Sequence, residues 1–282
     1  AALTKWLRAH DFEVTIPYAG LDTAFCAVYR HKGGRAAGGR AVGFLGEYDA
    51  LRGQGHGCAH HMQTPAMIGA AMALRGVLES SDQPFEIHVI GTPSEESLDG
   101  GKNEMAAHGG FDHIDVAFMV HGSTLTQLET PSLALIEMDV EFHGKTAHAG
   151  IAPYAGRSAV DAVTMLQTGL GLMRNHLKDS SRVSNIVLAG GTAVNSVPDF
   201  AKVKVEIRHS SMAYLESVEQ WTREIAQAAA MATQTQVQIT PVAHIYNTTI
   251  NDAMGALLME CAEKFACDGI APPRKDCGST DF

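Results

Sequence analysis

The apolar runs AVGFLG at 41–46 and FEIHVIG at 85–91 are separated by PAMIGAAMALRGVL at 65–78, a stretch rich in Ala, Met and Leu. That spacing constrains the fold more than any other feature of the chain. Residues 65–78 have helix-forming composition, and the flanking runs read as buried strands. Residues 24–30 and 115–120 (DVAFMV) extend the strand series, with a short helix expected near 102–108. Strands alternating with helices point to a mostly parallel α/β sheet flanked by helices.

In such sheets ligands collect at the carboxyl ends of the strands. Glu47-Tyr48-Asp49 ends the strand at 41–46, Glu95-Glu96 lies just past 85–91, and His121 directly follows 115–120. Cys58 and His60, in GHGCAHH at 55–61, lead into the helix from the same edge. Residues far apart in the chain are therefore expected to meet at one sheet edge. Sulfur, nitrogen and carboxylate donors together suit zinc, manganese or a related divalent ion. Each residue also has a plainer reading: a buried small hydrophobe for the cysteine, a solvated loop for the acidic pair, a structural role for the histidine. Their convergence favours a site.

From Ser132 the pattern changes. Residues 133–142, 184–188, 201–208 and 236–240 read as strands, and 156–177 and 212–232 as helices, in the order β-α-β-β-α-β of a ferredoxin-like unit. In 201–208, Ala201, Val203, Val205 and Ile207 alternate with Lys202, Lys204, Glu206 and Arg208, as expected for an antiparallel strand with one wet face. The expected organisation is a domain of residues 1–130 and 243–282 that carries the candidate metal site, with a second domain inserted at 131–242. A helix at 252–265 returns the chain to the first domain. Residue 1 does not resemble a natural start and Phe282 follows no closing element, so truncation at both ends is expected.

Composition narrows the function. A net charge of −10 with no offsetting basic patch argues against nucleic acid. No apolar run reaches the roughly 18 residues of a membrane span, and AALTKWLRAHDFEV lacks a signal-peptide core. Five cysteines without a Cys-x-x-Cys pair read as reduced thiols of a cytoplasmic protein.

The stretches GEYDALRGQGHGCAHH, GTPSEES, MVHG, GKTAHAGIAPYAGRSAVDA, NSVPDFAKVKVEIR and GSTDF resemble, in order and across nearly the whole chain, the M20 metallopeptidases of the amidohydrolase and aminoacylase branch. That branch includes p-aminobenzoyl-glutamate hydrolases, auxin-conjugate hydrolases and β-alanyl-dipeptidase relatives. The resemblance implies a metal-dependent amidohydrolase or dipeptidase that cleaves an N-acyl amino acid or small dipeptide with a free carboxylate. It implies two divalent ions, zinc or manganese, in the intact enzyme, and it makes the first domain catalytic and the insert at 131–242 a lid and dimerisation domain. Cys58, His60, Glu96 and His121 match metal ligands, and Glu95 matches the general base. His148 matches a lid histidine that reaches the partner subunit's site in a homodimer. Asn195 and Arg208 match residues that hold the substrate carboxylate, Arg208 being expected beside Asn195. Ala59 stands where the family has glycine, and His61 where it has Asn or Asp; His61 is open to being an added ligand, a support behind the ligands, which is favoured, or a surface residue. The family's last metal-ligand histidine lies beyond GSTDF. Two alternatives stand beside this reading: Cys58 as a nucleophile with His56 or His60 as base, and a catalytically impaired relative that binds a ligand or partner.

Overall fold

The runs at 41–46 and 85–91 lie side by side and parallel, in register from Arg40 opposite Phe85 to Gly46 opposite Gly91. They do so in a computed structural model that describes residues 1–97, 100–127, 131–249, 251–265, 269–272 and 279–280. Cys267, Cys277 and three residues of GSTDF lie outside the described residues.

The first unit takes Ala1–Thr126 and is rejoined at Glu263. Along it run α1 (Ala2–Arg8), β1 (Glu13–Thr15), β2 (Phe25–His31), β3 (Arg40–Gly46), α2 (His60–Leu78), β4 (Phe85–Gly91), α3 (Gly101–Ala107) and β5 (Val116–Phe118). The strands form one mixed sheet in the order β1-β2-β4-β3-β5. β3 is parallel to both its neighbours, whereas β2 is antiparallel to both of its own. Alternation sends Phe25, Ala27, Ile87 and Val89 to one face with Leu7, Met67, Ile68 and Ala71. It sends Cys26 and Ile90 to the other face with Met105.

Helix α2 starts five residues earlier than its proline suggested. Pro65 and His61 both face solvent, where water can satisfy the His61 carbonyl that the proline leaves unpaired. α2 also sits hard against the end of β3. A Cβ on Gly46 would come within 2.8 Å of the Thr64 Cα, and the Thr64 hydroxyl donates to the Glu47 carbonyl at 2.6 Å. Only glycine at 46 permits that approach, which brings the first turn of α2 to the carboxyl edge of the sheet.

The second unit lies within Gln127–Ala262. It contains β6 (Ala134–His143), α4 (Ala159–Met173), β7 (Arg182–Ala189), β8 (Phe200–His209), α5 (Met212–Thr233) and β9 (Gln236–Ile245). Its sheet is antiparallel throughout, in the order β7-β8-β6-β9 of a ferredoxin-like unit. One face buries Met138, Val140, Phe142, Val203, Val205 and Ile207 against Leu166, Leu170, Leu215 and Val218 of the two helices. On the other, Lys204 pairs with Glu137 at 2.5 Å and Lys202 with Asp139 at 2.7 Å. Ser158 and Ser211 cap α4 and α5 by accepting the Asp161 and Tyr214 amides.

The units divide after Thr126 and Ala262 rather than near 130 and 242. β9 continues to Ile245, and just beyond it Ser132 and Thr248 each donate a backbone N–H to the other's hydroxyl at 2.8 Å. Both connecting segments thereby stay with the second unit. α6 (Asp252–Phe265) crosses the division. Among the described residues no helix is long and apolar enough to cross a membrane.

Candidate metal centre

Past the end of β3 the alternation of the strand persists. Tyr48 turns away and donates its hydroxyl to the Thr23 carbonyl at 2.7 Å, and burial pushes its pKa above the ordinary tyrosine value. Glu47 and Asp49 turn to the other side, toward His60 in the first turn of α2. Asp49 Oδ1 lies 3.3 Å from His60 Nδ1, and Asp49 Oδ2 accepts the Glu96 amide at 2.9 Å. One carboxylate therefore ties the loop after β4 to the ring at the head of α2.

His60 is 1% exposed and is the hub of the site. Its Nε2 lies 3.2 Å from Glu47 Oε2, 3.3 Å from His121 Nε2 and 4.0 Å from Glu95 Oε2, and its Nδ1 lies 3.9 Å from Glu96 Oε1. Cys58 reaches the same cluster through Glu96. Its hydrogen bond to that carboxylate, then burial, pushes the thiol up to about 11. At neutral pH the thiol of the metal-free chain keeps its proton, which disfavours Cys58 as a free-standing nucleophile. Cys58, His60, Glu95, Glu96 and His121, dispersed along the sequence, thus come together at the sheet edge.

The arrangement fits a cation. Carboxylates flank both ring nitrogens of His60, Asp49 Oδ1 at 3.3 Å from Nδ1 and Glu47 Oε2 at 3.2 Å from Nε2. His121 Nδ1 donates to the Gly122 carbonyl at 2.8 Å. His60 Nε2, His121 Nε2 and Glu47 Oε2, three atoms of ligand type, thus converge, at 3.3 and 3.2 Å from the first of them. Glu47 Oε2 and Glu96 Oε1 are buried oxygens without a hydrogen-bond partner. Two tetrahedral zinc–nitrogen bonds of about 2.0–2.1 Å would place the nitrogens about 3.3 Å apart, which is the spacing of the two rings. Two donor groups share His60: Glu47 with His121, and Glu95 with Glu96. On the far oxygen of Glu47, the buried ammonium of Lys102 donates at 2.5 Å.

Sequence reasoning set Glu47 and Asp49 at this edge without giving either a role, and it missed Lys102. The shared side of Glu47 and Asp49 was findable, because residues two apart at a strand end share a side. His61 differs from expectation: one residue past an inward His60, it rotates to the exposed face and sets its ring 5.0 Å from His56. Ala59 adopts φ +62, the left-handed conformation that glycine takes freely.

In the second unit, His148 and Asn195 are neighbours. The Ala149 amide donates to the Asn195 carbonyl at 2.9 Å and His148 pairs with Ser196 as a short bridge. Arg208 is not with them, which corrects the expectation that it stands beside Asn195. It lies near the carboxyl end of β8, and Asn195 precedes the amino end. The stretch of β8 from Phe200 to Arg208 spans about 26 Å at the rise of a strand. The Arg208 guanidinium instead grips Glu206 with two bonds, at 2.7 and 2.9 Å.

Residues 134–234 match the model of the M20 peptidase dimerisation domain. Over 274 residues the chain is 35% identical to the Xaa-Arg dipeptidase of Mus musculus, an alignment that takes in 94% of this chain and 63% of that protein. It is 31% identical to a p-aminobenzoyl-glutamate hydrolase chain of Escherichia coli, over 89% of this chain and 56% of the other. The chain thus resembles M20 peptidases along nearly all of its length. The M20 fold is shared with a dinuclear metal binding peptidase of that family from Bacillus subtilis (TM-score 0.73, 18% identity, 100% of this chain and 77% of that one). A putative aminohydrolase from Staphylococcus aureus superposes with a TM-score of 0.80 at 16% identity, over 100% and 76% of the two chains. The chain spans just under two thirds of the length of the dipeptidase.

Proposed function

We propose that the chain acts as a metal-dependent amidohydrolase that cleaves an N-acyl amino acid or a dipeptide bearing a free carboxylate. The observation that carries this reading is the convergence of His60 Nε2, His121 Nε2 and Glu47 Oε2, with buried oxygens of Glu47 and Glu96 that no hydrogen bond satisfies. Cys58, His60, Glu96 and His121 are assigned to two divalent ions, zinc or manganese, with Glu47 added to the set and Asp49 fixing the His60 ring. Such ions, when bound, bring the pKa of water to about 7 and stabilise charge on the scissile carbonyl oxygen.

Glu95 is assigned the proton traffic. Its Oε2 points at the cluster from 4.0 Å, placed to take a proton from water and return it to the leaving amine. The relatives named for Xaa-Arg, p-aminobenzoyl-glutamate and indole-3-acetyl-aspartic acid substrates all act on amides of amino acids, which supports the substrate class. His148, with Asn195 against it, is assigned to the substrate carbonyl and carboxylate in the partner subunit's site, which requires a homodimer through the second unit. Arg208 remains a candidate for the carboxylate, released from Glu206 when substrate arrives. The free thiols of Cys26, Cys58 and Cys261 suit a reducing, cytoplasmic setting.

The test uses two variants of the zinc-loaded full-length protein. Glu95→Gln lowers kcat by about 10²–10⁴-fold at unchanged metal content. Mixing inactive Glu95→Gln subunits with inactive His148→Ala subunits then restores activity, because each heterodimer holds one site with both groups. Wild-type turnover by Glu95→Gln overturns the hydrolase assignment, and failure of the mixture overturns only the role of His148.

A further inference from the structure

A second group of metal-type donors lies in the first unit, away from the carboxyl edge. Cys26 on β2 and His88 on β4 are diagonal neighbours on one face of the sheet, since Cys26 pairs with Ile90 and Val28 with His88. The third member, His113, stands in the loop before β5. One donor atom from each of Cys26, His88 and His113 falls within 4.8 Å of the others. Cys26 and His88 are 4% and 2% exposed, while His113 is half-buried and gives a route from solvent.

The details of the pair are those of a ligand set. Cys26 Sγ lies 3.7 Å from His88 Nδ1. Tetrahedral zinc, with bonds of about 2.3 Å to sulfur and 2.0–2.1 Å to nitrogen, requires about 3.6 Å. The other nitrogen of His88 donates to Glu86 Oε2 at 2.9 Å, which fixes the tautomer and leaves the Nδ1 lone pair facing the sulfur. Glu86 is held in turn by the Arg35 amide at 3.0 Å and by Arg30 at 3.3 Å. The His113 ring packs against that of His88 with centroids 4.8 Å apart, and one of its nitrogens lies within 4.8 Å of the donor atoms of both Cys26 and His88. Burial pushes the Cys26 thiol up to about 12 and holds His88 below its ordinary value. The metal-free group is therefore a neutral thiol beside a neutral imidazole.

We propose that Cys26, His88 and His113 form a second binding site for a thiophilic divalent cation of the zinc class, separate from the centre at His60. Binding replaces the thiol proton by the cation: the S–H bond breaks, one sulfur–metal and two nitrogen–metal bonds form, and the proton leaves to solvent. A water completes the fourth position. The cation joins β2, β4 and the approach to β5, the strand whose far end delivers His121. Its role is structural: the nearby Glu86 carboxylate is taken up by His88 and by the Arg35 amide, and the cation ties strands together.

Cobalt(II), a spectroscopic substitute for zinc, tests the site in the full chain. The Cys58→Ser/His60→Ala background silences the first centre. There, cobalt alone should produce a thiolate-to-metal charge-transfer band that saturates at one equivalent. Cys26→Ser should abolish the band, and His113→Ala, on a half-exposed loop where folding is not at stake, should weaken cobalt binding roughly tenfold or more. Zinc should raise the melting temperature of the background protein and not of His113→Ala. No band in the background, or a band and an affinity unchanged by both substitutions, overturns the proposal.

Discussion

Asp49 and His60 face each other across 3.3 Å, and the other oxygen of the same carboxylate accepts the Glu96 amide. The ring orientation that turns His60 Nε2 toward Glu47 and His121 thus depends on a residue that need not touch a metal. Carboxylate partners of this kind fix the tautomer and raise the basicity of the ligating nitrogen, and losing one weakens metal binding by about 10–100-fold. Asp49→Asn should lower zinc affinity by that factor in calorimetric titration, with the circular dichroism spectrum unchanged. Wild-type affinity in the variant would mean that His60 is held by packing alone.

Ala59 offers a gain rather than a loss. Its φ of +62 strains a residue with a side chain, by about 1–2 kcal/mol for an L-residue in the left-handed region. Glycine relieves that strain at an unfolded-state entropy cost of roughly 0.4–1 kcal/mol. Ala59→Gly should therefore stabilise the chain by about 0.5–1 kcal/mol, read as a higher urea midpoint at an unchanged slope. The Ala59 methyl also occupies the space next to Gly122, where a new Cβ would fall 2.8 Å from it. Gly122→Ala should accordingly destabilise wild type more than it destabilises Ala59→Gly.

Most of the architecture was legible because hydrophobic periodicity is local. The alternation of Ala201–Arg208 and the run FEIHVIG fix strand identity without knowledge of their neighbours. The edge at which Glu47, Glu95 and His121 gather followed from strand direction, which the intervening α2 reveals. What stayed hidden needed pairing. Nothing in the sequence shows that β2 lies antiparallel beside β4, so Cys26 and His88, 62 positions apart, gave no signal of their contact. Lys102 was hidden for the same reason, since its salt bridge to Glu47 joins α3 to the end of β3. The separation of Arg208 from Asn195, by contrast, was available from the length of the strand between them.

At the opposite end of the first sheet, Asp115 anchors the approach to β5. Its Oδ2 accepts the Ala41 amide at 2.8 Å, and Arg35 and Arg40 lie at 2.7 and 3.3 Å. The Ala41 hydrogen bond first, aided by the two guanidinium groups, holds the Asp115 carboxyl below the usual carboxylate range. A carboxyl whose pKa is lowered by folding adds stability that is full above its unfolded value, about 3.9, and is lost as pH falls through the lower folded value. Asp115→Asn should therefore melt earlier than wild type throughout the neutral range, and the two curves should converge in strong acid. A gap that stays constant from neutral pH to about pH 2 would assign the effect to shape rather than charge.

Lys102 and Glu47 form a salt bridge in which the side chains are 4% and 0% exposed. Neither charge has bulk water to fall back on. Removing one partner of such a pair leaves the other buried and uncompensated, at a cost of about 3–5 kcal/mol. Lys102→Met, which preserves much of the side-chain volume, should destabilise the metal-free chain by that amount in urea unfolding. Glu47 Oε2 has a second source of positive charge if a cation sits against His60, only 3.2 Å away. Saturating zinc should then narrow the gap between Lys102→Met and wild type, because the cation neutralises the carboxylate that the ammonium no longer serves. A loss that is equal with and without zinc would place the metal out of reach of Glu47, and would remove that residue from the ligand set while leaving Cys58, His60, Glu96 and His121 in it.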